Sequence, residues 1–256
     1  MTRILAILAL MLSLMAGPVR AAEEIVAGLS QNRISITAQF NGSQILIYGA
    51  VKRNEPEPQT APLKIIVSLE GPSLPVTVRR KVKTGGIWIN RDKVEVDSAP
   101  TYYAVATSAP IGTIISHTED LRRRITIPTA IRSVGASGTV TDSGAFSEAL
   151  IRLRTRDGLY KLSEGAVDIV KDTLFRATFD LPANLVEGNY RVRILLYRDK
   201  VLLDEATETI FVRRVGLERW LANTAEQQSE FYGVLSLLIA GFAGWAAAAI
   251  FRFIRS

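Results

Sequence analysis

From residue 30 to 107 the chain is a series of short runs in which apolar and polar positions alternate. Ile34-Ser35-Ile36-Thr37-Ala38-Gln39-Phe40 has period two, Asn41-Gly42 carries hairpin-turn chemistry, and Gln44 to Val51 resumes the strand. The stretch 52–62, KRNEPEPQTAP, reads as an exposed proline-rich loop. Strand patterns then recur at 63–69, 76–82, 87–90, 94–96 and 102–107, with turn residues at Gly71-Pro72 and Gly85-Gly86. About seven short strands divided by such turns predict a β-sandwich over residues 22–107.

The period changes in residues 108–157. Ser116-His117-Thr118-Glu119 has the spacing of a capping box, predicting a short helix that ends near Arg124. After the glycine-rich 135–144, Phe146, Ala149, Leu150 and Leu153 recur at helical spacing, with Glu148, Arg152 and Arg156 elsewhere on the surface. That pattern predicts a helix over 143–156 packed on a sheet. From 158 the strands return: Phe175, Ala177 and Phe179 alternate with Arg176 and Thr178, while Tyr190, Val192 and Ile194 alternate with Arg191 and Arg193. Asp199-Lys200 supplies a hairpin turn, and residues 158–214 are expected to form a second, smaller sandwich. Residues 215–230 read as an amphipathic juxtamembrane helix with Leu217, Trp220 and Leu221 on one side.

Both ends of the chain are apolar. Ile4 to Ala16, preceded by Arg3 and followed by Gly17-Pro18 and Val19-Arg20-Ala21, has the layout of a signal peptide cleaved after Ala21. Phe231 to Phe251 contains no charged residue. As a helix it would cover roughly 31 Å, enough for a hydrocarbon core of about 30 Å. Glu226 and Glu230 precede it and Arg252 and Arg255 follow it, so the bias of positive charge predicts a single-pass anchor with residues 252–256 in the cytoplasm. The expected architecture is mainly β: two immunoglobulin-like sandwiches in tandem, a helical insert between them, and one C-terminal transmembrane helix. The expected location is a bacterial inner membrane, with the bulk of the chain in the periplasm.

Charge reinforces this layout. The formal net charge is +6. Setting aside Arg3, Arg20, Arg252 and Arg255 leaves 27 basic residues against 25 acidic ones, which is not the footprint of a nucleic-acid binder. The chain has no cysteine, which excludes disulfides, thiolate metal sites and a cysteine-linked lipid.

Candidate chemistry is sparse. The single histidine, His117, lies in the capping box, which accounts for Ser116, His117 and Glu119 without a hydrolase triad. One histidine and no cysteine argue against zinc, and no calcium loop, phosphate loop or dinucleotide fingerprint is present. Asp92, Glu95 and Asp97 read as the solvated face of a strand. No catalytic, metal or cofactor residue is therefore assigned. Arg79 and Arg80, Arg122, Arg123 and Arg124, and Arg152 cluster with other basic residues and could hold a small oxyanion or meet lipid headgroups, although ordinary solvated surface is the simpler reading. Trp88 is expected in the core. In the C-terminal helix Ser236, Ala240, Gly244 and Ala248 recur every four residues, a stripe that would let another helix approach.

The segments ISITAQFNGSQILIYGAV, VTVRRKVKTGGIWINRDKVEV, LIRLRTRDGLY, LFRATFDLPANLVEGNYRVRILLYRD and YGVLSLLIAGFAGWAAAAIFR, in that order, resemble the alphaproteobacterial putative transmembrane protein family, whose members are uncharacterised. The resemblance implies an exported domain with a C-terminal anchor, often encoded beside a sulfite exporter, and carries over no catalytic residue. The expected function is a non-enzymatic accessory subunit of a membrane transporter, with the bilayer and a polytopic transporter or a second copy as partners. An anion-binding module is the alternative, and a hydrolase centred on His117 a weaker one.

Overall fold

The strands of the C-terminal part find their partners in the N-terminal part. The computed structural model describes residues 23–37, 39–53, 61–131, 143–215 and 229–254. The signal peptide expected at 1–21, most of the proline-rich loop, the greater part of the glycine-rich stretch and most of the juxtamembrane helix lie outside the described residues.

In chain order the described elements are β1 (Glu23–Leu29), β2 (Arg33–Ile36), β3 (Ser43–Arg53), β4 (Lys64–Glu70), β5 (Ser73–Thr84), β6 (Ile87–Pro100) and β7 (Tyr103–Thr107). Next come α1 (Ile111–Ile114), α2 (His117–Arg123), α3 (Ile127–Ala130) and α4 (Ser143–Arg156). The chain continues through β8 (Tyr160–Ser163), β9 (Val167–Val170), β10 (Leu174–Leu181), β11 (Gly188–Arg198), β12 (Val201–Arg214) and α5 (Ser229–Ile254).

One sheet has the order β1-β3-β10-β9 and the other β2-β12-β11-β4-β7-β8; β5 and β6 form a separate two-stranded ribbon. Every antiparallel pair between β3 and β10 or between β4 and β11 joins the two halves of the chain. Two tandem sandwiches are therefore corrected to one, and the division at 107 and 158 does not separate units. The strand order is that of an immunoglobulin-type sandwich: β2 runs parallel to β12 as an A′ strand does to G, and the Tyr190 hydroxyl donates to the Val186 carbonyl at 2.8 Å in the manner of a tyrosine corner. The ribbon and the helices are inserted around β7.

The physical reason is visible in the core. β10 is buried at every second residue, with Phe175, Ala177, Phe179 and Leu181 inward, and Ile45 and Ile47 of β3 are fully buried beside them. They share one cluster with Val192, Ile194 and Leu196 of β11 and Ile65 and Val67 of β4. Neither half could bury its apolar face against itself. β4 is buried on both faces, because Ile114, Ile115 and Ile125 of the helical insert join the same cluster. The backbone N–H of Ile25 donates to Asp204 Oδ2 at 2.7 Å, bridging β1 and β12 from opposite sheets.

Three local expectations change. Asn41-Gly42 does not close a hairpin: both edges of β3 are taken by β1 and β10, and β2 crosses to the other sheet. Gly42 has φ +112°, and a Cβ there would lie 2.7 Å from the Leu181 carbonyl oxygen, so the crossing chain presses on the end of β10. Trp88 is 66% exposed rather than in the core. The third change concerns the C-terminal span. α5 forms over Ser229–Ile254. Among the described residues no helix is long and apolar enough to cross a membrane, so the transmembrane helix over 231–251 is not supported.

Candidate functional site

The six arginines singled out in the sequence separate into two groups. Arg122, Arg123 and Arg124 line a cleft of about 660 Å³ together with Arg191 and Arg193 of β11, Glu70 of β4, Ser73 of β5, Ser98 of β6 and Glu205 of β12. Arg79, Arg80 and Arg152 line a smaller one of about 420 Å³ between the β5–β6 ribbon and α4.

The arginine triplet of the larger cleft is held by the cap of α2. Ser116 Oγ accepts from Glu119 N at 3.2 Å, opening the helix, and Arg124 ends it in the left-handed region at φ 53°. Asp120, buried inside the following turn, accepts from Ile125 N (3.1 Å), Thr126 N (2.8 Å), Thr126 Oγ1 (2.7 Å) and Thr129 Oγ1 (3.1 Å). One carboxylate thus joins the end of α2 to the start of α3. The opposite wall comes from sheet register. Arg191 stands directly across from Glu70, 3.1 Å away, and Arg193 Nε reaches Glu205 Oε1 at 2.9 Å from a diagonal position.

The five guanidiniums differ in availability. Glu205 is shared by Arg193 and by Arg123 at 2.7 Å, and Arg193 also donates to the Arg123 carbonyl at 3.0 Å. Arg123 donates as well to Glu119, and that bond raises its pKa further above the ordinary guanidinium value. These two arginines are neutralised and fixed. Beneath them Tyr197 is buried without a hydrogen-bond partner for its hydroxyl, and burial pushes its phenol up to about 12. Arg122 has only a 3.7 Å approach to Glu119, with its side chain 71% exposed. Arg191 is 58% exposed, and Arg124 enters no ion pair among the described residues. Arg122, Arg124 and Arg191 therefore present unspent donors into a positive cleft.

In the smaller cleft Arg80 pairs with Asp92 at 2.8 Å and lies 5.1 Å from the centroid of the Phe146 ring. Phe146 and Leu150 are buried against Val78, Val94 and Val96 as the helical period predicts, but Leu153 of the same stripe is exposed. His117 is exposed at the first turn of α2, and its neighbours Ser116 and Glu119 are engaged by the cap and by Arg123. Among the described residues no group of three or more His, Asp or Glu side chains is placed to hold a metal. Ser236, Ala240, Gly244 and Ala248 are all exposed on α5, and the Ser236 hydroxyl donates to the Gly233 carbonyl of its own helix at 2.9 Å.

Comparison with known families gives a match over residues 24–253, nearly the whole described chain. The chain belongs to the Putative transmembrane protein family (Alph_Pro_TM). Comparison with curated proteins gives no match. The family's description as transmembrane points to membrane association, and the match spans both sheets, the ribbon and α5.

Proposed function

We propose that this Alph_Pro_TM protein is a non-enzymatic, membrane-associated binding module that receives a small oxyanion, such as sulfite or sulfate, in its arginine cleft. The observation that carries the reading is the convergence of Arg122 and Arg124 from the α2 cap with Arg191 from β11 on one cavity, in which Glu70 and Glu205 are outnumbered. The carboxylates order the wall and leave a positive surplus facing the cleft. The non-enzymatic reading is supported by the commitment of Ser116 to the helix cap and of the Glu119 carboxylate to Arg123. A periplasmic location is supported by the signal-peptide pattern of residues 1–21.

The test is a thermal-shift titration of the full chain in mild detergent with millimolar sulfate or sulfite against chloride at matched ionic strength. The expected result is a rise in Tm that is lost in Arg124→Ala/Arg191→Ala, whose side chains are exposed. No shift with either anion would overturn the reading.

A second reading, an accessory subunit of a membrane transporter, is favoured by α5. Leu237, Leu238, Phe242 and Trp245 are each more than 60% exposed, and a Cβ added at Gly233, Gly241 or Gly244 would meet nothing within 4 Å. So much uncovered apolar surface calls for lipid or a partner helix.

A further inference from the structure

We propose that the β5–β6 ribbon is a membrane contact, a finger whose tip enters the surface of an anionic bilayer. The inference rests on the membrane association of the family and not on the arginine cleft.

The ribbon has a packed root and a free end. Val78, Val94, Val96 and Ala99 are buried under Phe146 and Leu150 of α4, and Val78 pairs with Val94 as the last buried rung. Beyond it six residues, from Arg79 to Thr84, run out to the turn, about 20 Å at the usual strand rise. Gly85 and Gly86 close that turn with φ +60° and +89°, and a Cβ on either would meet nothing within 4 Å. The turn therefore has open space around it among the described residues. The side chains there are the opposite of what water selects: Ile87 and Trp88 are each 66% exposed and Ile89 is 38% exposed.

The distribution of these side chains says what covers them. Lys83 pairs with Trp88, whereas Thr84 pairs with Ile87 and Val82 with Ile89. Successive residues of a strand point to opposite faces, so Trp88 emerges on one side of the ribbon and the two isoleucines on the other. A protein partner presenting one surface would cover one side; an interfacial lipid phase surrounds both. Immediately behind the tip, residues 79–93 carry six basic side chains, Arg79, Arg80, Lys81, Lys83, Arg91 and Lys93, against the single carboxylate of Asp92, which Arg80 already neutralises. An apolar end with an aromatic side chain, collared by lysine and arginine, matches a bilayer of anionic headgroups over acyl chains.

Because the chain has no cysteine, a single environment-sensitive label can be placed at will. The full chain carrying Ile87→Cys labelled with a nitrobenzoxadiazole is incorporated into phosphatidylcholine vesicles with about a third phosphatidylglycerol, and into pure phosphatidylcholine vesicles. The label at 87 is expected to shift to the blue and be quenched by brominated acyl chains in the anionic vesicles, while the same label at Glu208→Cys, on exposed β12, stays in water. Each of Lys81→Ser, Lys83→Ser and Lys93→Ser is expected to lower the docked-to-free ratio about fivefold, and salt to lower it further. A label that stays in water at 87 on anionic vesicles that float the chain overturns the finger alone, and equal burial in pure phosphatidylcholine overturns its anionic-lipid specificity. Failure of the chain to float with either vesicle overturns the membrane association and the finger together.

Discussion

Asp120 shows how much of the cleft depends on a single side chain that never faces it. Its carboxylate has only acceptors to offer, and the four groups it meets in the 125–129 turn are all donors. Asp120→Asn keeps the volume but replaces one acceptor oxygen with an amide that donates towards donors. The expected cost is about 1–3 kcal/mol of stability, as for a buried polar group left mispaired, read by chemical denaturation, together with weaker anion binding as the Arg122–Arg124 turn loosens. At this scale the sequence was partly legible. The arginine triplet stands out by composition, and the capping box located Ser116 and Glu119. Arg191 and Arg193 were read only as the wet face of a strand, because what makes them part of a site is their register against Glu70 and their closeness to Glu205, and register is a relation between segments. Trp88 was misplaced for a related reason: GGIWIN has the pattern of a core strand, but among the described residues Ile87 and Trp88 are left mostly uncovered.

Elements were read well where the pattern is local. The helix α4 has the bounds that its 3.6-residue period predicts, β10 alternates over its whole length, and Asp199-Lys200 turns β11 into β12 with both residues at positive φ. Partnering was not legible. Asn41-Gly42 between two alternating runs is strong hairpin chemistry, yet turn residues permit a reversal without dictating which edge the next strand takes. For α5, period and composition give a helix with an uncovered small-residue stripe, and its consequence can be tested. If another helix packs there, Ala240→Leu with Gly244→Leu is expected to abolish recovery of a polytopic partner in mild-detergent pull-down, with the sandwich still folded by circular dichroism. Recovery of the monomer alone from the unaltered chain would count against the transporter reading.

For the molecule as a whole, the interleaving of the halves makes a prediction that separates one sandwich from two. A fragment ending at 131 and a fragment beginning at 143 are each expected to lack a cooperative thermal transition, because β3 and β4 lose β10 and β11, their partners in the other half of the chain. Co-expression of the two is expected to restore one transition. A fragment 22–107 that melts cooperatively by itself would contradict the shared core. The sequence signalled β-sandwich material throughout, but the number of sandwiches depends on long-range pairing, to which short-range periodicity is blind.

The bridge from Ile25 to Asp204 has a consequence in time. Its partners are 179 residues apart, and a ribosome adding about 5–20 residues per second needs roughly nine to thirty-six seconds between them. Through most of that interval β1 and β3 are made and can pair with each other while β10 is not, so the far edge of β3 stands open to any other extended chain. Whatever holds the nascent polypeptide during synthesis must therefore protect the early strands until β12 has emerged, and conditions that slow elongation should favour aggregation of this chain even though its finished form has nothing wrong with it.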